Sequence, residues 1–231
     1  MIRRSGLLAT LWLILAGIAN AQGRPVVVEL YTSQGCASCP PANAYFTRQL
    51  ANREDVIALS LHVDYWDYIG WKDIFADPAY GARQRAFARA AGSRSVYTPQ
   101  IIVDGRDHVV GTEPDKVEGL IKVHKTDKSP VDLRIERRGS KLWIAAKSSK
   151  SIAMQVHLVR YIPEQSVSIK RGENAGLDIT YSNIVNDWQV LTDWNGDKPL
   201  TLETGAPGGA PVVVLVQVAG SGPILAAARL P

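Results

Sequence analysis

Cys36 and Cys39 are the only cysteines in a chain of 231 residues, and they stand three positions apart as Cys36-Ala37-Ser38-Cys39. Two thiols at that spacing suit reversible disulfide chemistry, in which one thiolate attacks a partner sulfur and the second resolves the mixed disulfide. As a staple they would close a very small loop, stabilising by roughly 2 kcal/mol on a chain-entropy estimate, where a long-loop bridge would do far better. Two thiolates beside an imidazole would also suit copper(I) or zinc, and His62 is the histidine in question. It ends, with Asp64, a strand expected to emerge near the cysteines. The other reading of His62 is a hydrogen-bonded loop histidine. Thr98-Pro99 precedes a short strand, a place where a tight turn can demand a cis bond; a trans proline opening an edge strand is the alternative. Tyr65, Trp66, Tyr68 and Trp71 either pack internally or pave a groove beside Cys36. His108, His124 and His157 have no ligand-like neighbours in sequence.

The elements that must position these residues can be read in order. Val26 to Tyr31 is a β-branched and aromatic run ending at the polar turn Thr32-Ser33-Gln34-Gly35, which predicts a strand. Ala42 to Leu50 carries apolar residues at helical spacing, and Pro40-Pro41 suits only a first turn. The cysteines therefore sit at a helix mouth, where N–H groups and the helix dipole favour a thiolate. A second strand is expected from Val56 to about Val63. Asp77-Pro78 supplies the cap and first residue of a helix ending at Gly92, with Arg83, Arg85 and Arg89 toward solvent. Gln100 to Val103, the turn Asp104-Gly105 and His108-Val109-Val110 read as a hairpin, followed by a helix from about Glu113 to His124. Lys125 to Pro130 is polar and marks a boundary. Beyond it, short segments alternating at period two point to an antiparallel β-domain, sandwich-like in form.

The N-terminus has the three parts of a secretory signal: Arg3-Arg4, an apolar run from Leu7 to Ile18, and the small-residue site Ala19-Asn20-Ala21. The apolar run falls short of the roughly 20 residues that span a bilayer, so cleavage after Ala21 and a periplasmic or secreted protein are expected. The 26 basic residues less Arg3 and Arg4, against 22 acidic ones, leave a mature charge of +2. So balanced a surface argues against nucleic acid as a partner. Hydrophobic content of 46% with 21% charged residues is enough to build a core without a disulfide staple.

The order β-α-β-α-β-β-α, the helix-mouth cysteines and Pro99 together resemble the thioredoxin superfamily. More closely, Glu-Leu-Tyr-Thr-Ser-Gln-Gly-Cys-Ala-Ser-Cys-Pro-Pro-Ala at 29–42, His-Val-Asp-Tyr-Trp-Asp-Tyr-Ile-Gly-Trp-Lys-Asp at 62–73 and Tyr-Thr-Pro-Gln at 97–100 resemble a secreted bacterial family. That family is catalogued as domain of unknown function 1223, and Arg-Gly-Glu-Asn-Ala-Gly at 171–176 is similar to its C-terminal half. The resemblance implies a thioredoxin-like α/β domain over 22–127, with a helical insertion at about 64–92, and a β-rich domain over 130–231. It implies that Thr98 and Pro99 bind substrate backbone, with Trp66 beside them, and that Glu29 stands for the buried strand acid that deprotonates the resolving cysteine. Glu29 is one residue farther from the first cysteine than the superfamily pattern has it, and Gly35 stands where thioredoxins usually carry tryptophan.

The expected activity is thiol–disulfide exchange on protein or peptide thiols, with a redox partner and without a dissociable cofactor. Cys36 attacks and Cys39 resolves. The alternatives are a copper(I) or zinc module built on Cys36, Cys39 and His62, and a non-catalytic interaction protein.

Overall fold

Strands buried on both faces read as unbroken apolar runs, and the first two strands of the chain do so. In the computed structural model, which describes residues 24–206 and 208–231, β1 (Val26–Thr32) and β2 (Val56–His62) are buried at every position. They pair in parallel, from Val26 opposite Val56 to Thr32 opposite His62. The expected leader at 1–21 lies outside the described residues.

The crossover between them is α1 (Pro40–Tyr45), continued by a π-helical turn over Phe46–Leu50. Its Ala42, Phe46 and Leu50 pack on the face formed by Val26, Val28, Leu30, Val56 and Ala58. On the other side of β1, β3 (Gln100–Val103) runs antiparallel and turns back into β4 (Asp107–Val110). The turn residues Asp104 and Gly105 both take positive φ, as a tight hairpin requires. Then α3 (Pro114–His124) joins α1 on its face through Val117 and Ile121. The opposite face takes α2 (Pro78–Ala90), capped by Asp77, whose carboxylate accepts from the Ala79 N–H at 2.8 Å.

The second half of the chain contributes β5 (Val131–Arg138), β6 (Lys141–Ser148), β7 (Met154–Ser168), β8 (Asp178–Trp194), β9 (Leu200–Gly205), β10 (Val212–Val218) and β11 (Ile224–Leu230). Here the structure departs from a separate β-domain. One mixed sheet of eight strands runs β11-β10-β7-β8-β2-β1-β3-β4, joined between the halves by Ser60 opposite Ile184. The reason lies in β10, an unbroken Val-Val-Val-Leu-Val run that needs cover on both faces. Val213 and Leu215 pack in the cluster holding α2's Tyr80 and Phe87, while Val212, Val214 and Val216 meet Leu142 and Ile144 of a second sheet, β5-β6-β9. The sandwich is thus local, with one of its layers continuous with the sheet that carries the cysteines. Among the described residues, no helix is long and apolar enough to cross a membrane.

Candidate redox site

The turn after β1 brings the two cysteines to the start of α1, where they form a disulfide. Cys39 is the helix cap: its carbonyl accepts the first intrahelical bond, from Asn43 N–H at 3.0 Å, and its own N–H donates to the Cys36 carbonyl at 3.1 Å. Pro40 and Pro41 carry no N–H, so two first-turn donors that could steady a thiolate are missing. Neither sulfur-bearing residue is open to solvent, Cys36 being 1% and Cys39 0% exposed. Cys36, the expected attacking residue, is therefore as covered as Cys39 while the disulfide is closed.

What covers them comes from two distant segments. Between β2 and α2, a 3-10 turn over Asp67–Ile69 lies against Gly35, where a Cβ would come within 3.1 Å of the Trp66 carbonyl oxygen. The glycine in place of a tryptophan thus admits a close approach of backbone. From the end of β7, the 169–177 turn sends Asn174 inward, and its Nδ2 donates to the carbonyls of Gln34 at 2.8 Å and Cys36 at 2.9 Å. The two covers touch, since Gly172 lies against Trp71. Trp71 Nε1 in turn donates to Gln34 Oε1 at 2.7 Å.

Thr98-Pro99 is brought to the same place. Its peptide bond is cis. Ser38 Oγ lies 3.3 Å from the Thr98 carbonyl oxygen and 3.4 Å from Cys36 Sγ, so its single proton can serve either neighbour. Trp66 Nε1 donates to Thr98 Oγ1 at 2.7 Å, while its ring stacks on Tyr68. Four stretches far apart in sequence, 29–42, 62–73, 97–100 and 171–176, therefore converge on one turn.

Two side chains stand elsewhere than expected. Glu29 alternates with Val28 and Leu30 along β1 and so points to the sheet face opposite α1. There its carboxylate accepts from the Tyr31 hydroxyl and from Arg83 Nε and Nη2, each at 2.8 Å. It is turned from the cysteines and fully engaged, which removes the proton-acceptor role drawn from the resemblance. Arg83, expected at the surface, turns inward to meet it and keeps only 13% of its side chain exposed, and its guanidinium lies 4.0 Å above the Trp188 ring. The carboxylate requires the cation there.

His62 is fully buried beneath α1. Its Nδ1 is 2.6 Å from Asp73 Oδ2, which also accepts the Gln34 N–H at 2.7 Å; Asp73 Oδ1 accepts the Phe75 N–H at 2.9 Å. Asp73, Gln34 and Asn174 were not singled out from the sequence, although all three lie inside the stretches that carry the resemblance. Among the described residues, no three His, Cys, Asp or Glu side chains gather in a way that could hold a metal.

The family model described as Protein of unknown function (DUF1223) matches residues 27–217. A crystal structure of a protein from Agrobacterium tumefaciens is similar over 91% of this chain and 96% of its own, at 33% identity and a TM-score of 0.78. HBP35 of Porphyromonas gingivalis is similar over 90% of this chain and 75% of its own, at 15% identity and a TM-score of 0.62, a likeness of fold alone. No curated protein matches the chain.

Proposed function

The chain belongs to the DUF1223 family, and from its site we propose that it is an exported thiol–disulfide oxidoreductase with a thioredoxin-like core. One observation carries this reading: the Cys36–Cys39 disulfide sits at a helix start and against the Thr98-Pro99 loop, linked to it through Ser38. The strand order β4-β3-β1-β2, with a parallel β1–β2 pair and an antiparallel β3–β4 hairpin, supports the thioredoxin-like assignment.

In the reducing direction Cys36 thiolate attacks a substrate disulfide, releasing one substrate thiolate. Cys39 then displaces the second and closes the Cys36–Cys39 bond. The oxidising direction is the reverse. Ser38 serves Cys36 when its proton turns from the Thr98 carbonyl to the sulfur, a switch that costs little because both acceptors lie within reach. Thr98 and Pro99 border the place where an extended substrate would lie, and Trp66, bonded to Thr98, forms its wall. The net reduction potential sets which direction prevails.

The test is equilibration of the purified protein with glutathione buffers, followed by alkylation of free thiols and mass measurement. The reading expects a native, folded protein to cycle between disulfide and dithiol, and the reduced form to convert a disulfide-bonded peptide to thiols. Replacing Cys39 with Ser should trap mixed disulfides through Cys36. A Cys36–Cys39 bond that opens only when the protein unfolds would make it a buried staple and end the proposal.

A further inference from the structure

Beneath the cysteine helix lies a layer of polar groups that the exchange steps above leave unused. Thr32 Oγ1, Asn43 Nδ2, Ser60 Oγ, His62 Nε2 and Tyr181 Oη are all buried without a hydrogen-bond partner among the described residues. Hydroxyl, amide and imidazole groups buried this close to the cysteine helix give it a polar floor where an apolar one would be the ordinary packing.

Their positions follow from register and periodicity. Thr32 faces His62 across the β1–β2 pair, and Ser60 lies two residues before His62, on the same sheet face. That is the face α1 covers. Asn43 lies four residues after Cys39, one helical turn along the same side of α1. Tyr181, on β8, closes the layer with its ring 4.9 Å from the His62 ring. Thr32, Ser60 and His62 thus share the sheet face covered by the helix that Cys39 caps.

Asp73 settles what His62 can do. Its carboxylate is acceptor-only when ionised, and it already takes two backbone N–H groups. The bond from His62 Nδ1 therefore places the ring proton on Nδ1 and leaves Nε2 as a lone-pair acceptor. A carboxylate that orients an imidazole whose other nitrogen is a base is the arrangement that activates nucleophiles elsewhere. Phe75 and Tyr181 flank the ring edge-on, Asp67 accepts from the Asp73 N–H, and Lys72 is the nearby cation, acting on Asp67. Burial keeps the Tyr181 phenol far above its ordinary range, so it stays protonated and can donate.

We propose that His62, oriented by Asp73, is the proton acceptor for Cys39, reached through the buried polar layer beneath α1. The inference rests on reading Cys36 and Cys39 as an exchange pair. In the mixed disulfide between Cys36 and substrate, Cys39 is a thiol. Its proton passes to His62 Nε2, the resulting thiolate attacks Cys36 Sγ, the Cys36–substrate bond breaks, and the substrate thiolate leaves with the electron pair. Two electrons have then moved from the cysteines to the substrate disulfide. The proton on His62 returns to solvent or to the departing thiolate. His62 takes the office that Glu29 cannot fill, and Asp73 is a positioning residue.

The experiment uses the reduced full-length protein and an aromatic disulfide whose released thiolate is coloured, mixed rapidly across pH 5 to 9. The first thiolate released reports attack by Cys36, and the second reports resolution by Cys39. His62→Gln should leave the first release within about threefold of the wild type and slow the second about 100-fold near neutrality, the usual range for a lost general base. Its second release should climb about tenfold per pH unit while the wild type levels off. Asp73→Asn should shift the midpoint of that levelling, and Ser60→Ala, the mildest change in the layer, should slow the second release alone. These two keep the test decisive should His62→Gln not fold. Second-release profiles matching the wild type in the variants that fold overturn the proposal and leave thiol exchange standing. A wild type that releases no second thiolate overturns both.

Discussion

His157 is buried on β7, with its Nδ1 accepting from the Trp188 indole N–H at 3.1 Å. Burial, aided by the nearby charge of Arg83, holds its pKa down to about 4. An unfolded chain would protonate the same imidazole near the ordinary value of about 6.5. Between those two values the unfolded state binds the extra proton, so stability falls as the pH drops through that window. The full effect is about 3 kcal/mol, complete only below about pH 4. His157→Gln keeps an acceptor for Trp188 and removes the titration. Urea unfolding at pH 7 and pH 4.5 should therefore show a smaller acid loss in the variant than in the wild type, and equal losses would contradict the neutral buried histidine. Single side chains are also where sequence reading went astray. Arg83 belongs to a helix with arginines at three nearby positions, and nothing local distinguishes the one that turns inward. Its partner Glu29 is 54 residues away. Motif position alone placed Glu29 near the cysteines, but the two-residue period of the strand put it on the other face.

At the scale of elements, the cysteine pair is governed by its cover. Trp71 and Asn174 hold the turn from opposite sides, one through the Gln34 side chain and the other through two backbone carbonyls. A hydrogen bond of this kind contributes about 1 kcal/mol net. Asn174→Ala removes two, which should raise the population of uncovered disulfide, and with it the rate of reduction by dithiothreitol, by about thirtyfold. Trp71→Phe keeps the ring and loses one bond, so its increase should be about fivefold. Reduction rates unchanged in both variants would mean that the cover does not limit access. The elements themselves were largely legible. The Asp77-Pro78 start of α2, the Asp104-Gly105 hairpin and the first two strands were read within a residue or two, because caps, turns and apolar runs are local signals. The cover was not. Its halves lie about a hundred residues apart in sequence, and the polar residues that join them look, one by one, like ordinary loop residues.

Across the whole molecule, the boundary at Lys125 to Pro130 marks a change in texture that does not end the sheet. Sequence alternation identified the later strands, but strand pairing is non-local, and no local pattern says that β8 will lie beside β2. The consequence is energetic. Val27, Ile57, Leu59 and Leu61 of the first half share one cluster with Val159, Tyr161, Val185, Val213, Leu215 and Ile224 of the second. Full burial of such side chains is worth about 1.5–3 kcal/mol apiece. Cutting the chain at residue 127 would expose the first-half members of that cluster and remove their second-half partners, a loss of about 10 kcal/mol, on the order of a typical domain's entire stability. It would also leave Arg83 without Gln217, to whose Oε1 it donates at 3.1 Å. A fragment spanning 22–127 should therefore fail to fold cooperatively even though it holds Cys36, Cys39, His62 and Thr98-Pro99. The measurement is thermal unfolding by circular dichroism beside a chain spanning 22–231, with a dye that fluoresces on exposed apolar surface. The fragment should give no sharp transition and strong dye binding. A fragment with a cooperative transition and native thiol exchange would instead make the first half an autonomous domain, and the shared sheet a matter of docking.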